Sequence, residues 1–186
     1  MPPTVKITKE DIINTGVKLV RECGEEAINA RTVASSLNCS TQPIFSNFSS
    51  MEELKEAVRL SAYGIYLDFI EREVESGKYP RYKAFGMAYI RFAKDERGLF
   101  KLLFMYDRNG KPTTPTYDFD EAIKMISSAN GISYEKAQLL HLEMWACVHG
   151  IATMLVTSYL SLEWELIENM LTDVYQGLRE RFITEV

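Results

Sequence analysis

Residues 31–48 read RTVASSLNCSTQPIFSNF, and the apolar spacing in this stretch predicts two short helices joined by a tight turn. The first helix is predicted from about Ala30 to Leu37, with Asn29 as its N-cap. The second is predicted from about Thr41 to Asn47, with Ser40 as its cap. Asn38 stands in the turn, where the backbone needs a residue that tolerates the left-handed conformation. Such a pair forms a helix-turn-helix unit, although spacing alone leaves an ordinary pair of bundle helices as an equal alternative.

The two helices are expected to present one apolar face to the core and one polar face to solvent. The side chains expected to point inward are Val33, Ala34, Leu37, Cys39, Ile44 and Phe48. Those expected to lie on the exposed face of the second helix are Thr41, Gln42, Pro43 and Ser46. In a helix-turn-helix unit this face enters the major groove of DNA. Gln42 can then bond an adenine through both atoms of its amide, and Thr41 or Pro43 can contact a thymine methyl group.

The rest of the chain also carries helical periodicity, and no alternating strand pattern interrupts it. A first helix, with Thr8 as its N-cap, is predicted to run to about Cys23. Further helices are predicted over about 51–76, 80–94, 97–106, 117–129, 133–160 and 162–182. Ser50 and Glu53 form a capping box before the long helix at 51–76. The sequence therefore predicts an all-α fold of about nine helices. Residues 1–50 are predicted to be an N-terminal domain, which is a DNA-binding domain on the helix-turn-helix interpretation, and residues 51–186 a helical body, with the helix at about 51–76 connecting the two.

Composition limits the function classes. The chain has 186 residues, a formal charge of −5 and 46% hydrophobic residues, which are values of an ordinary globular protein. Residues 1–50 carry five basic and five acidic side chains, so the negative charge lies in the body. The acidic balance argues against a generic polyanion binder. Three widely spaced cysteines and the absence of an apolar leader favour a reducing, cytoplasmic location.

The N-terminal stretch resembles the DNA-binding domain of TetR-family transcriptional regulators. The resemblance covers about residues 8–56. It rests on the stretch quoted above, on Gly24 after the first helix and on Glu52-Glu53-Leu54. It implies DNA-binding roles for Arg31, Ser40, Thr41, Gln42, Pro43, Phe45 and Asn47.

Three departures from the family pattern bear on affinity. Asn38 replaces the usual glycine at little cost. Phe45 replaces a tyrosine whose hydroxyl contacts a phosphate, and Met51 replaces a frequent lysine. Because residues 38–50 carry no charged side chain, DNA binding of modest affinity is expected.

The last two long helices are predicted to form a dimer interface. Glu143 is the only formally charged residue between Leu142 and Leu162, and a helix that is apolar all round is either buried on every face or spans a membrane. The stretch contains the polar residues Glu143, His149, Thr153, Thr157 and Ser158 and has no basic residues at its flanks, which argues against a membrane-spanning helix. The resemblance implies homodimerisation through the helices at about 133–160 and 162–182, whereas packing within one subunit is the alternative. A dimer suits a palindromic, double-stranded operator.

A second resemblance, to the WHG-type C-terminal domain of part of the same family, covers about residues 80–160. It rests on Tyr89-Ile90-Arg91-Phe92-Ala93, on the run from Gly98 to Phe104, and on Trp145 with His149-Gly150. It implies a pocket for an unidentified small-molecule effector. The tentative lining residues are Phe85, Tyr89, Phe92, Phe100, Phe104, Trp145, His149 and Met154, although aromatic residues at this spacing are more often simply core.

Two other function classes compete with the regulator. An enzyme is disfavoured, because His141 and His149 are the only histidines and no catalytic or nucleotide-binding motif is present. No catalytic residue, metal ligand or cofactor is therefore predicted. The second competitor is a helical small-molecule-binding or interaction module that has lost sequence-specific DNA binding. The uncharged segment at residues 38–50, which includes Phe45, supports this alternative.

Overall fold

A computed structural model describes residues 7–106 and 119–184 of the chain. Within these ranges it contains nine α-helices, a short 3-10 turn at Glu25–Ala27 and no strand, which confirms the all-α prediction. The predicted start of the seventh helix, at about residue 117, lies outside the described ranges. The helices are α1 Lys9–Cys23, α2 Ala30–Ser36, α3 Gln42–Asn47, α4 Met51–Glu75, α5 Arg81–Asp95, α6 Arg97–Phe104, α7 Phe119–Asn130, α8 Tyr134–Val156 and α9 Trp164–Thr184.

Local capping explains where the first helices begin and end. The Thr8 hydroxyl accepts from the Asp11 amide, and the Asp11 carboxylate accepts from the Thr8 amide, which completes a capping box on α1. Gly24 ends α1 with a φ of 85°, in the left-handed region that favours glycine. Asn29 accepts from the Thr32 amide at 3.0 Å and so caps α2. The predicted caps Thr8 and Asn29 are confirmed.

Residues 7–67 and 96–106 form one compact unit, called unit 1 here. It contains α1 to α3, most of α4, and α6. Helix α6 packs on α1 at a glycine: a Cβ on Gly98 would lie 2.3 Å from the backbone oxygen of Val20. Arg21 of α1 donates to both carboxylate oxygens of Glu96, at 2.8 and 2.7 Å, beside this contact. The absence of a side chain on Gly98 lets the two helix backbones approach closely, and the ion pair between Arg21 and Glu96 adds a second contact between them.

Residues 68–95 and 119–184 form the second compact unit, unit 2. Helix α8 packs against α5, α7 and α9, and these four helices bury an apolar core between them. Glu73, at the end of α4, is 7% exposed and accepts from Arg91 of α5 at 2.8 Å. The Arg91 guanidinium also lies 4.2 Å from the centre of the Trp164 ring. The functional division at residue 50 stays a prediction, since the two units describe only which residues pack together.

The ends of the last two helices differ from the prediction. Helix α8 ends at Val156 rather than at residue 160, because Ser158 adopts a φ of 56° and the Tyr159 amide turns back to the Met154 carbonyl at 3.0 Å. Helix α9 runs over Trp164–Thr184 rather than 162–182. Of the helices in the described ranges, only α8 is long and apolar enough to cross a membrane, a test that the core helix of a soluble protein also passes.

Candidate nucleic-acid interface and effector region

The turn between α2 and α3 has the geometry that the sequence predicts. Asn38 adopts a φ of 51°, and the Cys39 amide donates to the Ala34 carbonyl at 3.0 Å. Ile44 of α3 and Phe48 just after it are 0% and 2% exposed. The inner face of α3 is therefore fixed in the core of unit 1, which determines which of its side chains face outward.

The start of α3 corrects one prediction. Ser40 was expected to cap the helix, but Thr41 occupies the N-cap position, and its side chain makes no capping hydrogen bond. Thr41 has a helical φ of −72° and ψ of −12°, whereas a capping side chain needs the extended backbone that Thr8 and Asn29 adopt. Ser40 is consequently an exposed residue of the turn.

The seven side chains expected to contact DNA differ in exposure. Arg31, Ser40, Gln42 and Phe45 are exposed, and Thr41, Pro43 and Asn47 are half-buried. The Asn47 amide donates to the Pro43 carbonyl at 2.8 Å, and the Ser46 hydroxyl donates to the Gln42 carbonyl at 2.9 Å. These two polar groups are thus directed to the backbone of their own helix. Contact of any of the seven with a nucleic acid stays a prediction.

A hydrogen-bonded cluster lies at the start of α4. The Glu53 carboxylate accepts from the Ser49 amide and hydroxyl, both at 2.7 Å, and from Lys9 at 3.4 Å. Hydrogen bonds from Ser49, with a smaller contribution from Lys9, hold the pKa of Glu53 below its usual value. The Ser50 hydroxyl accepts from the Glu53 amide at 3.2 Å. Half of the predicted capping box forms, because the Glu53 carboxylate bonds Ser49 rather than Ser50.

Three of the residues expected to contact an effector lie together in unit 2. The Tyr89 hydroxyl and the His149 Nδ1 are 2.9 Å apart. The Trp145 ring stacks on the His149 ring, with centroids 5.0 Å apart and an interplanar angle of 7°. Burial lowers the pKa of His149. The name-giving tryptophan and histidine of the WHG resemblance therefore form one aromatic cluster with Tyr89.

The other five effector candidates are divided between the two units. In unit 2, Phe85 and Phe92 are buried and Met154 is half-buried. In unit 1, Phe100 and Phe104 pack with ring centroids 5.1 Å apart, and Phe104 also contacts Tyr66 edge to face at 5.3 Å. Whether these residues contact a ligand stays a prediction. A separate open depression on α7 is lined by Asp120, Glu121, Lys124, Met125, Ser128 and Ala129, none of which is among the candidates.

A second histidine cluster in unit 2 was not predicted from the sequence. The Tyr82 hydroxyl lies 2.9 Å from Nδ1 of His141, and the Phe119 ring contacts the same imidazole edge on, with centroids 5.1 Å apart. The buried Nε2 of His141 has no hydrogen-bond partner within residues 7–106 and 119–184. Burial lowers the pKa of His141 and raises that of Tyr82. Only the three-dimensional packing of α5, α7 and α8 brings these side chains together.

The fold and the family comparison define the class of protein. An all-helical chain with a helix-turn-helix unit before a helical C-terminal unit has the architecture of TetR-like regulators. The family described as "Tetracyclin repressor-like, C-terminal domain" matches residues 82–174, which is half of the chain. The chain therefore belongs to the TetR family of transcriptional regulators. The match does not specify the WHG subtype, which stays a prediction. No curated protein shows significant similarity to the chain.

Proposed function

We propose that the protein is a transcriptional regulator, acting as a repressor, that binds a palindromic DNA operator as a homodimer and responds to a small molecule. The observation that carries the proposal is the exposed face of α3. A well-formed turn precedes α3, whose Gln42, Phe45 and Ser46 are exposed, in a chain whose second half matches a regulator family. That match also favours regulation over catalysis.

The exposed face of α3 supports recognition of bases rather than phosphates alone. Gln42 is exposed, and a glutamine amide matches the paired donor and acceptor that adenine presents in the major groove. Arg31, at the start of α2, is also exposed and can supply a phosphate contact. The segment between Thr32 and Met51 carries no formal charge, so base contacts are expected to provide much of the binding energy.

The outer faces of α8 and α9 support a homodimer. On α8, Leu139 and Leu142 are 41% and 58% exposed, and on α9 Leu166 is 48% exposed. A Cβ on Gly150 of α8 would meet no atom within 4 Å, so a second helix can approach closely there. Ile167 and Leu171 are buried within unit 2, which leaves the Leu166 side of α9 for a partner. Two helices from each chain would form a twofold four-helix interface.

Regulation by an effector is proposed to act through continuous helices. Helix α4 runs without interruption from unit 1 into unit 2, and α5 is joined to α6 by Glu96 alone. A ligand that shifts α4 or α5 in unit 2 would therefore move helices that pack near the helix-turn-helix unit in unit 1. A useful switch needs about 1–3 kcal/mol of coupling between the two sites.

The test is selection of binding duplexes from a random DNA library at low salt. The wild-type chain is expected to enrich an inverted repeat. Gln42→Ala is expected to bind the selected duplex about tenfold more weakly and to lose preference at one base pair of each half-site, since a bidentate contact provides about 1–3 kcal/mol of discrimination. Glu71→Ala, a truncation at an exposed position of α4 that lies in neither proposed interface, is the control and should bind normally.

The same experiment separates the proposal from its alternative. A folded wild-type chain that enriches no duplex at low salt would contradict the regulator and favour a small-molecule-binding module. If duplexes are enriched, a promoter–reporter assay with the selected site distinguishes repression from activation.

A further inference from the structure

Phe45 is an unusual side chain on the exposed face of α3. It is 54% exposed, more than Leu60, Leu67 or Met105, the other exposed large apolar side chains of unit 1. Its ring makes no aromatic or cation contact with the residues that the structure describes. Leaving a phenylalanine ring in water forfeits hydrophobic stabilisation. Contact with a partner that covers the ring would recover that stabilisation.

The hydrogen bonds of α3 limit what that face can recognise. Ser46 and Asn47 bond backbone carbonyls of their own helix, and Ile44 is buried. Gln42 and Phe45 are therefore the exposed side chains of α3 that remain directed away from it. They are three residues apart, which places them next to each other on one face of a helix.

The chemistry of the major groove offers one apolar group to such a pair. Each base pair presents donors and acceptors there, and only thymine adds a methyl group, at C5. A phenyl ring cannot bond a base edge, but it can cover that methyl group. Phe45 carries no charge or hydroxyl that would favour a phosphate instead. An amide that recognises adenine beside a ring that covers a methyl group is suited to adjacent A·T pairs.

We propose that Phe45 is a specificity-determining residue that recognises the 5-methyl group of a thymine next to the adenine contacted by Gln42. The inference rests on the proposed function, and it names the chemical group of the base that the exposed face of α3 distinguishes. Thymine is then preferred over uracil and cytosine at one position of each half-site. Burying one methyl group contributes about 0.8 kcal/mol, which corresponds to about a fourfold difference in affinity per half-site.

The experiment uses the duplex selected by the wild-type chain and replaces its thymines one at a time by uracil, which removes only the methyl group. The wild-type dimer should lose affinity about fourfold at one thymine of each half-site, and about fifteenfold when both are replaced. Phe45→Ala should bind the thymine duplex more weakly and show no response to uracil at that position. Leu60→Ala, which truncates a comparably exposed apolar side chain of α4, should retain the full response.

The outcomes separate the inference from the proposed function. If the wild-type chain binds the selected duplex but no uracil replacement weakens binding, the role of Phe45 is wrong and the regulator stands. If Phe45→Ala weakens binding to thymine and uracil duplexes by the same factor, the ring contacts the sugar-phosphate backbone and the inference is also overturned. A chain that enriches no duplex contradicts both. A response that is present in wild type, lost in Phe45→Ala and retained in Leu60→Ala supports the inference.

Discussion

His141 and His149 occupy partly buried positions in unit 2 that disfavour the charged imidazole. His141 lies against Tyr82 and Phe119, and His149 against Tyr89 and Trp145. Burial lowers the pKa of both side chains from the ordinary value of 6.5. The unfolded chain therefore takes up these protons at a higher pH than the folded chain does, and acidification favours unfolding.

Stability is expected to decrease as the pH falls from about 6.5 towards 5, where histidine is the side chain that ordinarily titrates. These two are the only histidines of the chain. The double variant His141→Gln, His149→Gln should therefore show a flatter dependence of unfolding free energy on pH in this range. Denaturant unfolding of tag-free protein at several pH values measures both slopes. Equal slopes for wild type and variant would contradict the assigned environments.

At the residue scale, the sequence predicts what depends on neighbours along the chain. The caps Thr8 and Asn29 and the left-handed Asn38 were predictable because the relevant hydrogen bonds and backbone angles are local. Ser40 was assigned wrongly because serine and threonine adjoin there and only the backbone angles distinguish them. The Tyr82–His141 contact joins side chains 59 positions apart, which no local pattern reveals.

At the element scale, the packing of α6 on α1 depends on one glycine. A Cβ on Gly98 would lie 2.3 Å from the Val20 oxygen and 3.1 Å from the Arg21 Cα, and both are backbone atoms. Helical periodicity predicts α6 itself but not its partner. The end of α8 was missed for a related reason, since the turn at Ser158 contains no glycine or proline to mark it.

Gly98→Ala is expected to lower the unfolding free energy by about 1–3 kcal/mol, because the backbones must move apart to admit the methyl group. Gly64→Ala on α4 is the matched control, since a Cβ there meets no atom within 4 Å. That change should raise stability by about 0.5–1 kcal/mol through helix propensity. Denaturant titration of both variants measures the difference. A Gly98→Ala variant as stable as wild type would contradict the close approach of α1 and α6.

At the scale of the whole molecule, the family match and the helix-turn-helix resemblance cover complementary parts of the chain. The match spans residues 82–174, and the resemblance spans about residues 8–56. The all-α class was predictable because helical periodicity persists along the sequence. The membership of α6 in unit 1 was not, since it depends on contacts between elements far apart in the chain.

In the proposed function, operator binding depends on dimerisation of the whole molecule. Leu142→Glu places a charge on the exposed face of α8, where Leu142 is 58% exposed. The variant is therefore expected to fold normally but to remain monomeric at micromolar concentration, because the charge would be buried unpaired in the interface. Leu60→Glu, at a 51% exposed position of unit 1, is the control that should leave the dimer intact. Sedimentation velocity distinguishes the two states.

Sedimentation of the wild-type chain with its selected duplex is the most direct test of the account. Two protomers per duplex are expected, on half-sites about 10 base pairs apart or a multiple of that distance, and Leu142→Glu should abolish this complex while Leu60→Glu retains it. A complex with a single protomer, or no complex at low salt, would contradict the account.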